Sequence, residues 1–172
     1  EGAERTRDIV DGLKRFSAQD RGEEETFNLA EVLERSVHWV VKASGSRIKV
    51  SLDVPPQIPV SGSAGQMQQV LVNLVQNAID STERQADARL DIQGEVRSRS
   101  AVLTFRDNGP GFPEESLDKA FDPFFTTKPI GKGTGLGLSI SYGIVERHRG
   151  QLKASNHPGG GAVLTLTLPL AG

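Results

Sequence analysis

The stretch "GKGTGLGLSISYGIVERHRG" (residues 131–150) places glycine at every second position from Gly131 to Gly137, directly before a helical pattern of apolar residues. Glycine is less favourable than alanine by roughly 1 kcal/mol in a helix interior, so this cluster indicates a close approach to the backbone. Accessible backbone N–H groups at the N-terminus of a helix suit a phosphate. Read alone, the stretch fits a phosphate-binding loop and a flexible loop with a helix cap equally well.

The glycine stretch differs from two common phosphate-binding motifs. A Walker A motif requires Ser or Thr after its lysine, whereas Lys132 is followed by Gly133. The dinucleotide-binding fingerprint ends in glycine where this chain has Leu138. The stretch therefore predicts an anion site without giving its class.

The composition is that of one compact domain. The chain has 172 residues, of which 36% are hydrophobic, and this is enough for a full core. A formal charge of −2 argues against nucleic acid or an acidic membrane surface as a partner. The absence of cysteine excludes disulfides, thiol catalysis and zinc–thiolate sites. The sequence also contains no run of ~18 apolar residues, the length that a membrane-spanning helix requires.

Apolar periodicity predicts helices and strands in mixed order. Helices are predicted from the N-cap Asn28 to Gly45, over 63–81, in a short segment begun by Pro113, and over 136–149. Strands are predicted over 48–54 (half-buried), 89–96 and 101–106, and as a closing hairpin after 150. This mixture predicts an α+β fold, a two-layer α/β sandwich in which helices cover one face of a mixed β-sheet.

The helix over 63–81 carries an unusual polar face. Gln66, Gln69, Asn73, Asn77 and Asp80 follow helical spacing opposite the apolar stripe. Asparagine is a poor helix former, and two asparagines one turn apart present neutral oxygen ligands of the kind that Mg²⁺ shares with phosphates. The alternative is an ordinary solvated face.

A third segment, "RDNGPGF" (residues 106–112), places Asp107 at the end of a predicted strand, before Gly109 and Gly111. A carboxylate held there could accept a hydrogen bond from the exocyclic amine of adenine or guanine. The alternative is a simple Asx-type turn, because Asp-Asn-Gly favours turns in its own right.

In this order, the segments resemble the ATP-binding catalytic domain of sensor histidine kinases, in the GHKL superfamily. "NLVQN" (73–77) resembles the N box, "DNGPGF" (107–112) the G1 box, "FDPFFTTK" (121–128) the F box and "GTGLGL" (133–138) the G2 box. The F box is most similar to the nitrogen-regulation branch. The resemblance covers essentially the whole chain.

The resemblance also implies a domain organisation. Residues 1–18, with an apolar seam at Ile9, Leu13 and Phe16, are similar to the end of the second helix of the dimerisation and phosphotransfer domain. Residues 19–26 are then a linker, and 27–172 form the catalytic domain with a mobile lid over the nucleotide.

By the same resemblance, the cofactors are ATP and Mg²⁺. Asn77 would bind the metal, Asn73 and Lys128 would act in catalysis near the phosphates, and Asp107 would bind the adenine amine. The full set of implied nucleotide-binding residues is Asn73, Asn77, Asp80, Asp107, Gly109, Gly111, Lys128, Lys132, Gly133, Thr134, Gly135, Leu136, Gly137 and Leu138.

The implied function is transfer of the γ-phosphoryl group of ATP to a histidine, for relay to a response-regulator receiver domain. The chain's histidines are His38, His148 and His157, and none is preceded by the family's first phosphotransfer helix, so the acceptor is expected elsewhere in the parent. We expect His38 to be half-buried and His148 to favour the helix dipole as a cation. The resemblance implies a homodimer in the full-length parent and a cytoplasmic fragment, with or without a membrane anchor elsewhere.

Three alternatives remain open. GHKL ATPases use a glutamate on the asparagine-bearing helix to activate water, where this chain has Gln66, Gln68 and Gln69. A protein-serine kinase would use the same nucleotide site. A binding module without catalysis would dock a partner through the lid and the seam helix.

Overall fold

The computed structural model describes residues 24–123 and 137–172. In chain order, its elements are β1 (Glu25–Asn28), α1 (Leu29–Ser44), β2 (Lys49–Asp53), β3 (Pro59–Gly62), α2 (Ala64–Ser81), β4 (Arg89–Arg97), β5 (Ser100–Asp107), a 3-10 helix (Glu114–Lys119), α3 (Gly137–Arg147), β6 (Gln151–Asn156) and β7 (Ala162–Pro169). The predicted seam helix, most of the linker and the predicted lid lie outside the described residues.

Helix α1 begins and ends where the sequence predicts. The Asn28 side chain accepts a hydrogen bond from the backbone N–H of Ala30 at 3.1 Å, and Gly45 closes the helix in the left-handed conformation with φ of 65°. Asn28 also accepts from the N–H of Ile58 at 2.9 Å and donates to the carbonyl of Pro56 at 2.9 Å. One side chain thus caps α1 and joins it to the segment before β3.

Replacing Asn28 by alanine is therefore expected to lower the free energy of unfolding by about 1–2 kcal/mol, because the cap and both long-range bonds are lost together. Urea unfolding at constant m-value measures this change. Glu34→Ala, at an exposed position of the same helix, is the control and should change stability by less than about 0.5 kcal/mol. Equal stability of the two variants would contradict the prediction.

Helix α2 forms the centre of the core. The Ser63 side chain caps it by accepting from the N–H of Gln66 at 3.1 Å. The predicted apolar side is buried, which confirms the periodicity: Met67, Val70, Leu71, Leu74, Val75 and Ala78. Helix α2 contacts α1 on one side and α3 on the other, so the three helices form a single layer.

The main sheet has five strands in the order β2-β4-β5-β7-β6. Strand β2 pairs with β4 in parallel, and the other pairs are antiparallel. Alternate residues of the inner strands are buried beneath the helices, and so is Leu152 of the edge strand β6; the inner-strand residues are Leu90, Ile92, Ala101, Leu103, Phe105, Leu164, Leu166 and Leu168. The predicted α+β fold, a mixed sheet covered on one face by helices, is confirmed.

Two local features differ from the sequence predictions. Strand β1, which includes Phe27, pairs with β3 in a separate two-stranded antiparallel sheet, and the sequence predicted neither strand. Strand β2 is mainly exposed rather than half-buried, since it forms an edge of the sheet and Leu52 is 41% exposed. Among the helices of the described residues, none combines the length and apolarity that a membrane span requires.

Candidate functional site

Asp107 ends β5 and is buried, with only 7% of its surface exposed. Its Oδ1 accepts hydrogen bonds from the backbone N–H groups of Gly109, at 2.9 Å, and Ala162, at 3.2 Å. Burial raises the pKa of the Asp107 carboxyl above its ordinary value, and the two N–H donors oppose part of that rise. Two donors on Oδ1 orient the carboxyl group, and within the described part of the chain Oδ2 accepts no hydrogen bond, so it can accept one from a further partner.

The loop after Asp107 packs against the C-terminal end of α2. A Cβ on Gly109 would lie 2.6 Å from the carbonyl oxygen of Ser81, so only glycine fits. The Ser81 hydroxyl donates to the backbone carbonyl of Asn77 at 2.8 Å. The structure therefore brings the Asp107 loop within one helical turn of Asn77.

Asn108 ties the same loop to the sheet. Its Oδ1 accepts from the N–H of Arg89 at 2.8 Å, and its Nδ2 donates to the carbonyl of Asp87 at 2.6 Å. Because Arg89 begins β4, the loop is joined to the sheet as well as to α2.

The far end of the loop is held by Asn156, the last residue of β6. Its Oδ1 accepts from the N–H of Phe112 at 2.8 Å, and its Nδ2 donates to the carbonyl of Phe112 at 2.7 Å. Gly111 has φ of 80°, and a Cβ there would lie 2.8 Å from the Asn156 Oδ1. Both glycines of the G1 box are thus required by contacts within the protein.

Asn73 joins the polar face of α2 to the start of α3. Its Nδ2 donates to the carbonyl of Gly137 at 3.2 Å and to the hydroxyl of the fully buried Ser141 at 3.1 Å. A carbonyl oxygen can only accept, so the NH₂ group must face α3. The Oδ1 of Asn73 is thereby the atom turned to the rest of its surroundings, as a neutral oxygen ligand would be.

The remaining polar residues of this face are half-buried. Gln76 donates from Nε2 to the Oδ1 of Asp80 at 2.9 Å, and its own Oε1 is buried without a hydrogen-bond partner among the described residues. Asn77 lies one turn after Asn73. A bound group or water with a donor would satisfy the Gln76 oxygen.

Part of the predicted site lies outside the described residues: Lys128, Lys132, Gly133, Thr134, Gly135 and Leu136. Gly137 and Leu138 open α3. At Gly137, a Cβ would meet the Asn73 side chain at 3.8 Å, which is an ordinary contact. Among the described residues, packing therefore does not demand glycine at 137, unlike at 109 and 111.

These elements match a known family. A family model described as histidine kinase-, DNA gyrase B- and HSP90-like ATPase matches residues 62–172. The chain belongs to this ATPase family. Within the ATPase family, it is 36% identical over 164 residues to the C4-dicarboxylate transport sensor protein DctB of Pseudomonas aeruginosa, covering 93% of this chain and 27% of DctB. It is 32% identical over 181 residues to the sensory histidine kinase/phosphatase NtrB of Vibrio alginolyticus, covering 99% of this chain and 50% of NtrB.

Solved structures of the ATPase family have the same fold. The catalytic domain of the histidine kinase ThkA, in a nucleotide-free form, superposes with a TM-score of 0.74 at 34% identity, covering 86% of this chain and 97% of that one. The mycobacterial sensor histidine kinase MprB gives a TM-score of 0.76 at 26% identity, covering 85% and 97%. The chain is a catalytic domain of the sensor histidine kinase type, and it spans only 19% to 27% of the length of several curated relatives.

The described residues fit an ATP-binding domain of this family better than a metal site built from protein alone. Within residues 24–123 and 137–172, no group of three or more His, Asp or Glu side chains could hold a metal ion. A divalent ion bound here would share its coordination with another bound group, as Mg²⁺ commonly does with phosphates.

Three contributors to the site, Asn108, Ser141 and Asn156, were missed by sequence reasoning. Asn108 lies inside the G1 box, so its turn chemistry was a usable signal. Ser141 and Asn156 act across 68 and 44 residues of sequence, and neither carries a local pattern that identifies its role.

The histidines differ from the sequence expectations. His38 is exposed on α1, not half-buried. The Nε2 of His148 accepts from the backbone N–H of Ser63 at 3.1 Å, and its Nδ1 contacts the carbonyl oxygen of Ile144 at 2.8 Å. An accepting Nε2 requires the neutral imidazole, so His148 joins α3 to the cap of α2 rather than acting as a cation.

Proposed function

We propose that this chain binds Mg²⁺–ATP and, within its parent protein, transfers the γ-phosphoryl group to a histidine that lies outside the chain. The phosphoryl group then passes to a response-regulator receiver domain. Family membership supports ATP as the nucleotide, because the family is one of ATPases.

One observation carries the proposal: the buried carboxyl of Asp107, held by two backbone N–H donors at the end of β5. Among the described residues, Asp107 has no cationic hydrogen-bond partner; burial of such a carboxyl group is costly, and such groups concentrate at functional sites. Its Oδ2 is suited to the exocyclic amine of adenine. Guanine presents a carbonyl oxygen at the equivalent ring position, which would face the carboxylate, so ATP is favoured over GTP.

The phosphates then lie along the polar face of α2 towards the start of α3. Asn73 presents Oδ1 because its NH₂ group is bonded to Gly137 and Ser141. We assign metal binding to Asn77, assistance at the phosphates to Asn73, and a neighbouring polar contact to Asp80. When bound, Mg²⁺ would neutralise charge on the phosphates. The chain's own residues would hold the phosphates in position for transfer.

The glycine segment and its flanking lysines complete the proposed nucleotide site. We assign binding of the triphosphate to this segment and to the N-terminus of α3. The residues assigned to this part are Lys128, Lys132, Gly133, Thr134, Gly135, Leu136, Gly137 and Leu138. Lys128 is the one to which we assign a catalytic role.

For the parent protein, we propose that residues 1–18 belong to the dimerisation and phosphotransfer domain and that residues 27–172 form the catalytic domain. Residues 19–26 are the linker between these two domains. The seam of Ile9, Leu13 and Phe16 has the spacing of a helical bundle interface. The parent is then a homodimer, and the catalytic domain acts in the cytoplasm.

The proposal predicts nucleotide-dependent stability. Mg²⁺–ATP at ~100 times its Kd should raise the free energy of unfolding by ~2.7 kcal/mol, because only the folded chain binds it. Thermal or urea unfolding with and without nucleotide measures the change, with Mg²⁺ alone and Mg²⁺–GTP as controls. No stabilisation by Mg²⁺–ATP would favour the binding-module alternative.

A second experiment separates kinase from ATPase. A separate fragment that bears the acceptor histidine should gain an acid-labile, base-stable phosphate when mixed with this chain and ATP. Rapid release of free phosphate without transfer would favour hydrolysis instead. The glutamines at positions 66, 68 and 69 of α2 cannot act as a base for water, so we expect slow hydrolysis.

A further inference from the structure

Asn156 holds the far end of the loop at residues 108–112 by both atoms of its amide. The two bonds to the backbone of Phe112, at 2.8 Å and 2.7 Å, resemble a pair from a β-ladder in which a side chain replaces the second strand. They satisfy the N–H and the carbonyl of one residue that has no strand or helix partner of its own. A side-chain amide, which has both a donor and an acceptor, can therefore satisfy both polar backbone groups of Phe112.

The same amide also shapes the loop at Gly111. A Cβ on residue 111 would lie only 2.8 Å from this Oδ1, and Gly111 has φ of 80°, which favours glycine. The path of the chain from Gly109 to Phe112 therefore has two fixed ends. Asp107 fixes Gly109 through its carboxylate, and Asn156 fixes Phe112.

The hairpin that carries Asn156 also reaches the Asp107 carboxyl directly. Strands β6 and β7 pair from Asn156 with Ala162 to Gln151 with Thr167, and the N–H of Ala162 donates to the Asp107 Oδ1. Asn156 and Ala162 are therefore opposite each other in the ladder, one holding the loop and the other holding the carboxyl. The end of one hairpin sets both sides of the proposed base site.

We propose that Asn156 is a positioning residue for purine recognition: it fixes the loop at Phe112 so that the base lies in register with the Asp107 carboxyl. This rests on the proposed function, since the ligand is the adenine base. Asn156 acts through the loop, and the phosphates are bound elsewhere, along α2. Its loss should therefore weaken recognition of the base and leave recognition of the triphosphate unchanged.

The test compares Asn156→Ala with the unsubstituted chain by titration calorimetry, using Mg²⁺–ATP, Mg²⁺–GTP and magnesium tripolyphosphate. The variant should bind ATP about tenfold more weakly than the unsubstituted chain and should lose most of the preference for ATP over GTP. Its affinity for tripolyphosphate should stay within about twofold of that of the unsubstituted chain. Asn156→Asp should lose a similar factor, because its carboxylate faces the Phe112 carbonyl and cannot donate to it.

Asn28→Ala is the matched control. Like Asn156, which bonds two backbone groups, Asn28 bonds backbone groups through its amide, three in all. Its loss should therefore destabilise the fold at least as much, yet it lies at the cap of α1. If Asn156 had a structural role alone, the two variants would show the same unchanged ATP-to-GTP ratio at a temperature where both are folded. That result would overturn the proposal.

Amide hydrogen exchange gives a readout without nucleotide. Exchange at Phe112 should accelerate in Asn156→Ala, while Gly109 stays protected by Asp107; equal exchange at Phe112 would also overturn the proposal. If the unsubstituted chain binds no nucleotide, the proposed function fails and the positioning role fails with it. If the unsubstituted chain binds ATP selectively and Asn156→Ala binds with the same selectivity, only the role of Asn156 fails.

Discussion

Replacing Asp107 by asparagine is expected to weaken Mg²⁺–ATP binding by at least about a hundredfold while the chain remains folded. The asparagine Oδ1 can still accept from the N–H groups of Gly109 and Ala162. Its NH₂ group then stands where Oδ2 was and meets the amine of adenine donor to donor. A hundredfold loss corresponds to about 2.8 kcal/mol, a size typical of a buried polar group left unpaired.

Although Asp107→Asn should weaken ATP binding, it should not lower the free energy of unfolding at neutral pH. The folded chain binds the Asp107 proton more tightly than the unfolded chain, because burial raises the pKa above its ordinary value of 3.8. Stability from this group is therefore greatest at low pH and declines as the pH rises through the raised pKa. At neutral pH, Asp107→Asn should be at least as stable as the parent, and this advantage should shrink as the pH is lowered through the raised pKa.

Calorimetry with Mg²⁺–ATP and urea unfolding across pH measure the two effects on the same samples. Asp118→Asn, at an exposed acidic position of the 3-10 helix, is the control and should alter neither. A variant at position 107 that binds ATP as the parent does would remove the main support for the proposed site.

Replacing Gly161 by alanine should have the largest effect on stability, a loss of about 3 kcal/mol or more. Gly161 has φ of 95°, and a Cβ there would overlap the carbonyl oxygen of Asp107. The atom in the way is backbone, so relief requires displacement of the end of β5. The neighbouring Gly160 has φ of 102° and open space around the position of its Cβ.

Gly160→Ala is therefore a matched control for backbone strain without collision, and it should cost only about 1 kcal/mol. The difference between the two variants, about 2 kcal/mol, isolates the close approach of the hairpin turn to Asp107. Thermal unfolding should separate them by several degrees. Equal melting temperatures would show that strain alone accounts for both glycines.

Most of the fold could be predicted from the sequence because its signals are local. Caps at Asn28 and Gly45 lie within a few residues of the helix that they end, and the burial of α2 follows from helical periodicity. Strands β1 and β3 were missed since each has four residues and pairs across more than thirty positions of sequence. So short a strand carries almost no periodic signal.

The candidate site divides in the same way. Asn73, Asn77 and Asp107 stand in segments with a recognisable order, so the sequence could single them out. What holds them depends on distant residues: Ala162 is 55 positions from Asp107, and Ser141 is 68 positions from Asn73. The reason for Gly109, contact with the Ser81 carbonyl, likewise depends on how α2 and the sheet pack.

The strand order has a consequence for how the chain is made. Strand β7 follows the other described strands in sequence but lies between β5 and β6 in the sheet. During synthesis on the ribosome, the β7-facing edge of β5 has no native partner until residues 162–169 emerge. The nascent chain therefore carries an open strand edge until then, a state prone to wrong pairing, and the Asp107 carboxyl gains its second backbone donor only when that gap closes.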